Sequence, residues 1–202
     1  MGKKIILVGG FHEIIELCED NHIEIIGIID NHLTDDTYWE YPVIGKDENA
    51  RTLFEAYKNV PVLITPDIPR VRYNLYHYYK DIGFGIASLI SRDAYISRSA
   101  EIGEGTIIQR GTNISSNTSI GQMVKINTNA NVMHDCVISN YVTVAPNAVL
   151  LGKVKVEDGT YIGANATILP SVIIGQNTMV GAGSVVTKSV HSNAVVKGVP
   201  AI

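Results

Sequence analysis

The second half of this chain is almost without aromatic rings. Of 14 Phe, Trp and Tyr residues in 202, 12 precede residue 96, and only Tyr141 and Tyr161 follow it. Aromatics are the usual large space-fillers of a mixed core. The second half must therefore close its core with aliphatic and small side chains, which argues against one globular core shared by the whole length. Cysteine is scarce too. Cys18 and Cys136 are too few for a disulfide framework. No apolar run approaches the ~18 residues of a spanning helix. The start, Met1 to Ile6, has neither the Ser or Thr of a myristoylation signal nor a signal-peptide profile. Excess positive charge is also missing. The net charge is −4 and the pI about 5.8, so there is no basic footprint for nucleic acid. These absences describe a soluble, cytoplasmic protein with no membrane or nucleic-acid partner.

A six-residue repeat occupies the second half. Every sixth residue from Ile96 to Val186 is aliphatic, 16 in succession. Two residues before each stands a small or β-branched residue, from Ala94 to Ser184. Three residues after each stands Ser, Gly, Asn or Asp in 13 of the 16 cases, the exceptions being Met123, Tyr141 and Lys153. The first two columns suit the inward positions of short strands. The third suits turns that pass through the left-handed region. Three hexads make a triangular coil of ~18 residues, a hexapeptide-type parallel β-helix. Its narrow interior accounts for the missing rings. Cys136 falls in the inward column and reads as core. Tyr141 breaks the turn pattern and is the first place to look for a contact with substrate or a neighbouring subunit.

The first half reads as α/β. Residues 3–8 form a buried strand, Gly9-Gly10 a turn, and 11–21 an amphipathic helix with Ile14, Ile15 and Cys18 on one side. A second strand at 24–29 ends at Asp30, a third lies at 61–65, and a helix covers about 67–82. This is a βαβ unit with glycines at the first turn and an acid 20 residues on. Gly9-Gly10-Phe11-His12-Glu13 lacks the G-x-G-x-x-G spacing of a dinucleotide site. On these residues alone, a tight turn and a nucleotide-phosphate site weigh equally. The tyrosine-rich stretch 73–79 reads as helix packing.

A small βαβ domain, uninterrupted hexads and a closing Gly198-Val199-Pro200-Ala201 together resemble the hexapeptide acyltransferases. The segment Asn131-Val132-Met133-His134-Asp135-Cys136 narrows the resemblance to the sugar-nucleotide N-acetyltransferases of 4-amino sugars and the sialic acid O-acetyltransferase-like proteins. The resemblance implies a Rossmann-like domain over 1–90 and a left-handed β-helix over 91–202. It implies acetyl-CoA as co-substrate, a nucleotide-linked amino sugar as acceptor, no metal, and a homotrimer with sites between subunits. It makes His134 the general base and Asp135 its partner, and it turns the Gly152 N–H toward the thioester oxygen. Ala164 and Ala182 would contact coenzyme A, with Thr143 at the acetyl group where the family often has a second histidine. Gly10, Phe11 and His12 would line the sugar and phosphates, and Asp30 and Asn31 would take polar groups of the nucleotide. The glycine loop is one residue shorter than the family's usual form.

One part of this follows from spacing alone. Gly152 lies 18 residues after His134, one coil on, so it should stack directly above it. Ala164 and Ala182 stack likewise at a different corner. A sugar hydroxyl as acceptor, or a noncatalytic scaffold, are the alternatives. A zinc hydratase on the same helix type needs three converging histidines, and only His134 and His191 lie in the repeat.

Overall fold

The computed structural model describes residues 3–202. The first five strands form one sheet: β1 (Lys4–Val8), β2 (Glu24–Ile29), β3 (Thr37–Tyr38), β4 (Tyr41–Gly45) and β5 (Val62–Ile64), in the order β3-β4-β2-β1-β5. β3 runs antiparallel to β4, and the other pairings are parallel. The central β1 (Ile5 to Val8) is buried, as its unbroken apolar run requires. Helix α1 (His12–Asp20) buries Ile14, Ile15, Leu17 and Cys18 against this sheet. Helices α2 (Ala50–Ala56) and α3 (Pro69–Ile82) follow, and α3 ends at Gly83 in the left-handed conformation. From β1 the chain moves to β2 on one side and later returns to β5 on the other. The C-terminal end of β1 is therefore the point where the winding reverses, where open α/β sheets place their ligands.

The repeat forms two-residue strands in three parallel walls. The first wall runs from Leu89–Ile90 to Val195–Val196 in seven strands, the second from Tyr95–Ile96 to Val185–Val186 in six, and the third from Glu101–Ile102 to Ile173–Ile174 in five. Partners in each wall lie 18 residues apart, as Asn113 with Asn131 and Lys125 with Thr143. The sixteen aliphatics fill the centre. Beside them the buried hydroxyls of Thr106, Thr112, Thr118, Thr160 and Thr178 donate to carbonyls of the adjacent coil, so the small column hides no unpaired hydroxyl at these positions. The repeat starts one hexad earlier than its sequence columns, at Leu89, and its last coil is two residues short, Met179 pairing with Val195.

The sheet domain docks on the first wall and on the corner between the third and first walls. Arg72, fully buried on α3, donates to the carbonyls of Met123, Tyr141 and Val142 on the coil side and of Pro66 and Asp67 on its own. Burial pushes its guanidinium down to about 10, still charged at neutral pH. Lys125, equally buried, projects from the first wall to the Thr65 carbonyl at 2.7 Å and the Asp67 carboxylate at 2.8 Å. Tyr141 belongs to this joint. Its ring packs against Tyr73, Tyr76 and His77 of α3 and is largely buried in this joint.

Candidate active site

Two clusters carry the residues singled out by the sequence, and they lie on different sides of the molecule. The first is at the corner between the second and third walls. His134 occupies the middle of the turn between Asn131–Val132 and Val137–Ile138, with its side chain half exposed. Its Nδ1 lies 2.8 Å from Asp135 Oδ2, while Asn117 donates to Asp135 Oδ1 at 3.3 Å. Asp135 sits in the left-handed region at φ 60°, which Asp tolerates, and its backbone N–H donates to the Ser116 carbonyl. The bond from His134, with that from Asn117, holds the Asp135 carboxyl below its ordinary value. Nδ1 is thus tied to a carboxylate, and Nε2 is the nitrogen left to meet a reactant.

Gly152 lies one coil above, where the spacing put it. A Cβ on this residue would stand 2.7 Å from both Cε1 and Nε2 of His134, so the imidazole rests in space that any other residue would fill. The Gly152 N–H has no acceptor among the described residues. At the corner between the third and first walls the matching N–H groups of Gln122, Asn140 and Gln176 are capped by side-chain oxygens. The Gly152 donor is therefore open beside the imidazole. The N–H groups of Ala164 and Ala182, stacked at the corner between the first and second walls, are open in the same sense. Thr143 is fully buried, and its hydroxyl donates to the Asp67 carbonyl at 2.6 Å, which ties it to the domain joint.

The second cluster gathers at the C-terminal end of β1. Gly9 takes φ 99°, and a Cβ there would stand 2.5 Å from the Thr65 hydroxyl, which itself donates to Val8 and Gly9 carbonyls. This close approach requires glycine. Gly10 donates to Asp30 Oδ2 at 2.8 Å. The N–H groups of Phe11, His12 and Glu13, at the start of α1, have no acceptor among the described residues. The other Asp30 oxygen accepts from His32 and Leu33 N–H groups, so this carboxylate braces the loop from within. Asn31 is likewise engaged, donating to the Asp47 carboxylate and accepting from the Asp47 N–H. Phe11 and His12 are exposed. Lys125 stands 4.8 Å from the centre of the Phe11 ring, so the first wall backs this loop directly.

The pattern described as bacterial transferase hexapeptide (six repeats) matches residues 117–152 and 153–188. WeeI from Acinetobacter baumannii is 32% identical, covering 99% of both chains with a TM-score of 0.88. PerB from Caulobacter crescentus, in complex with CoA and GDP-perosamine, is 30% identical over 100% of this chain and 97% of its own, with a TM-score of 0.92. The chain belongs to the hexapeptide-repeat sugar-nucleotide acetyltransferases. The acetyltransferase domain of PglB from Neisseria gonorrhoeae, in complex with acetyl coenzyme A, is similar at 25% identity and a TM-score of 0.91, covering 100% of this chain and 99% of its own. A sequence search of curated proteins finds no significant match.

Some parts of this acetyltransferase had no signal in its sequence. Arg72 and Lys125 carry no spacing signal in the sequence, and only the joint explains them. The β3–β4 hairpin and α2 lie in 31–60, a polar stretch without the apolar periodicity that marks the other elements. Among the described residues no three His, Cys, Asp or Glu side chains gather as a metal-holding group, and no helix is long and apolar enough to cross a membrane.

Proposed function

We propose that this protein is a cytoplasmic N-acetyltransferase that moves the acetyl group of acetyl-CoA to the amino group of a nucleotide-linked 4-amino-dideoxy sugar. The observation that carries this reading is the unpaired Gly152 N–H beside the His134 imidazole. The sugar amine attacks the thioester carbonyl, His134 Nε2 takes the proton, and the Gly152 N–H receives the developing oxyanion. Asp135 fixes the ring and favours its protonated form as the proton arrives. Ala164 and Ala182 leave a bare corner for the coenzyme A arm. Gly10, Phe11 and His12, with the open N–H groups of α1, hold the diphosphate and sugar. Asp30 and Asn31 shape that loop, and Thr143 secures the joint beneath it.

The placement of the two clusters supports an assembly. The sugar loop of one chain lies against its own first wall, backed by Lys125. His134 lies at the opposite corner of the triangle, between the second and third walls. One chain carries its glycine loop and its His134 at different corners of the triangle, which supports a site shared between copies in a homotrimer. A groove of about 990 Å³ beside the docked domain, lined in part by Ile68, Tyr73, Tyr161 and Met179, leaves apolar surface open to a neighbour. With the relatives above, this supports a division near residue 90 into a Rossmann-like sugar-nucleotide domain and a left-handed β-helix.

UDP-, dTDP- and GDP-linked 4-amino sugars, each offered with acetyl-CoA in a thiol-release assay, test the reading. One amino sugar should release thiol rapidly, and His134→Ala should slow that release by about 10²-fold or more. Equal rates in parent and variant would refute the base assignment. Release only with a sugar hydroxyl as acceptor would make the protein an O-acetyltransferase.

A further inference from the structure

The β3–β4 hairpin has an unusual tip. Trp39 and Glu40 form a two-residue turn with φ 48° and 68°, both in the left-handed region. Such turns strongly favour Asn-Gly or Gly-Gly, because side chains there crowd the backbone. A tryptophan at the first position is a costly choice, and the residue is 48% exposed. Folding alone explains neither the strain nor the exposure.

The location does. The hairpin folds over the glycine loop, where a Cβ on Gly10 would stand 2.9 Å from Leu33 and 3.3 Å from the Tyr38 ring. The His12 ring lies flat on Tyr38, at 4.9 Å between centres and 11° between planes. Trp39 covers His12 at 4.5 Å, tilted by 31°. The Tyr38 hydroxyl meets His12 Nε2 at 2.5 Å and fixes that ring. The result is a braced aromatic stack at the start of α1 that ends on an open indole. Asp30 and Asn31, the polar side chains that follow β2, are engaged within the domain. A ligand part meeting this surface is recognised by its flat face.

We propose that Trp39 is the stacking platform for the nucleobase of the nucleotide-linked sugar, an affinity element of the first domain. This rests on the reading that the first domain holds a nucleotide sugar. The diphosphate meets the free N–H groups at the start of α1, and the ribose carries the base across His12 to the indole. Stacking tolerates every base, since each has a π-face. Discrimination among bases then comes from hydrogen bonds at the edge of the ring.

Trp39 is the sole tryptophan of the chain, so its own emission reports the contact. Titrating the parent protein with GDP, UDP and dTDP should give a saturable change in tryptophan fluorescence with at least one of them, and none with inorganic pyrophosphate. Trp39→Leu should raise KM for the nucleotide sugar about ten-fold or more while KM for acetyl-CoA stays put, and Trp39→Phe should recover most of the loss. Silent fluorescence under conditions where the nucleotide sugar is acetylated would overturn the inference and leave the acetyl-transfer reading standing. The same change with pyrophosphate would also overturn it. A protein that acetylates no nucleotide sugar, yet whose tryptophan responds to a nucleoside diphosphate, would keep the platform and refute the transfer reading.

Discussion

His134 is held from two directions, and each neighbour gives a prediction. Asp135 orients the ring through Nδ1, and Gly152 gives it room. Gly152 has no positive φ, so its backbone accepts alanine, but the new methyl would fall on Nε2 and Cε1. Gly152→Ala should therefore lower kcat by about 10²-fold through displacement of the base, with a melting temperature close to the parent's. Calorimetry and thiol release on one preparation check both halves. Asp135→Asn replaces the carboxylate that holds Nδ1 at 2.8 Å with a neutral amide. The maximal rate of thiol release should fall by about 10-fold or more with the melting temperature little changed. An unchanged rate would refute the positioning role of Asp135. The carboxylate also contributes to stability with a definite sign. Its pKa is lowered in the folded state, so its contribution is present above ~3.9 and is lost as pH falls below that value.

At the scale of the elements, the departures from the turn column are informative. Met123 and Tyr141 take φ 55° and 58°, where most of the column has Asn, Asp or Gly. A side chain in this region costs about 1 kcal/mol. Both stand at the corner where α3 docks, and both are buried there with Tyr76, Tyr79 and Phe84. The joint therefore outweighs the turn preference at these two positions. Tyr141→Asn restores the preferred turn residue and deletes the ring. We expect a net destabilisation of about 2–4 kcal/mol, as for other large buried aromatics, measured by denaturant unfolding. A stabilised variant would mean the turn preference dominates. These elements also show what the sequence made legible. The hexads announced the β-helix because each residue's direction repeats every six positions in a structure contacting only itself. The hairpin over 37–45 left no such trace, because β3 is two residues long and forms only by pairing with β4. The His134–Gly152 proximity was legible because stacking by 18 is local to the repeat. The engagement of Asp30 and Asn31 was not, since it depends on Gly10 and Asp47, each 16 or more residues away.

The whole molecule is two bodies joined by buried cations. Five carbonyls surround the Arg72 guanidinium, and its planar fork meets them from three nitrogens. Arg72→Lys supplies three donors from one point and leaves buried carbonyls unpaired. It should cost about 2–4 kcal/mol in stability, read as a drop in melting temperature with the β-helix still folded by circular dichroism. The joint sets the glycine loop on the first wall, away from the corner that carries His134, and the proposed reaction then needs a second copy. In the proposed trimer, each site takes its sugar loop from one protomer and its base from the next. His134→Ala destroys the base and leaves the loop. Gly10→Val fills the loop against Leu33 and leaves the base. Each variant alone should be inactive. Co-expressed with different affinity tags and selected for both, every mixed trimer holds one intact pairing among its three interfaces, whichever variant is in excess. Tandem-purified mixtures should then regain about a third of the parent activity. A site built within one chain predicts none, because no single chain in the mixture carries both an intact loop and an intact histidine.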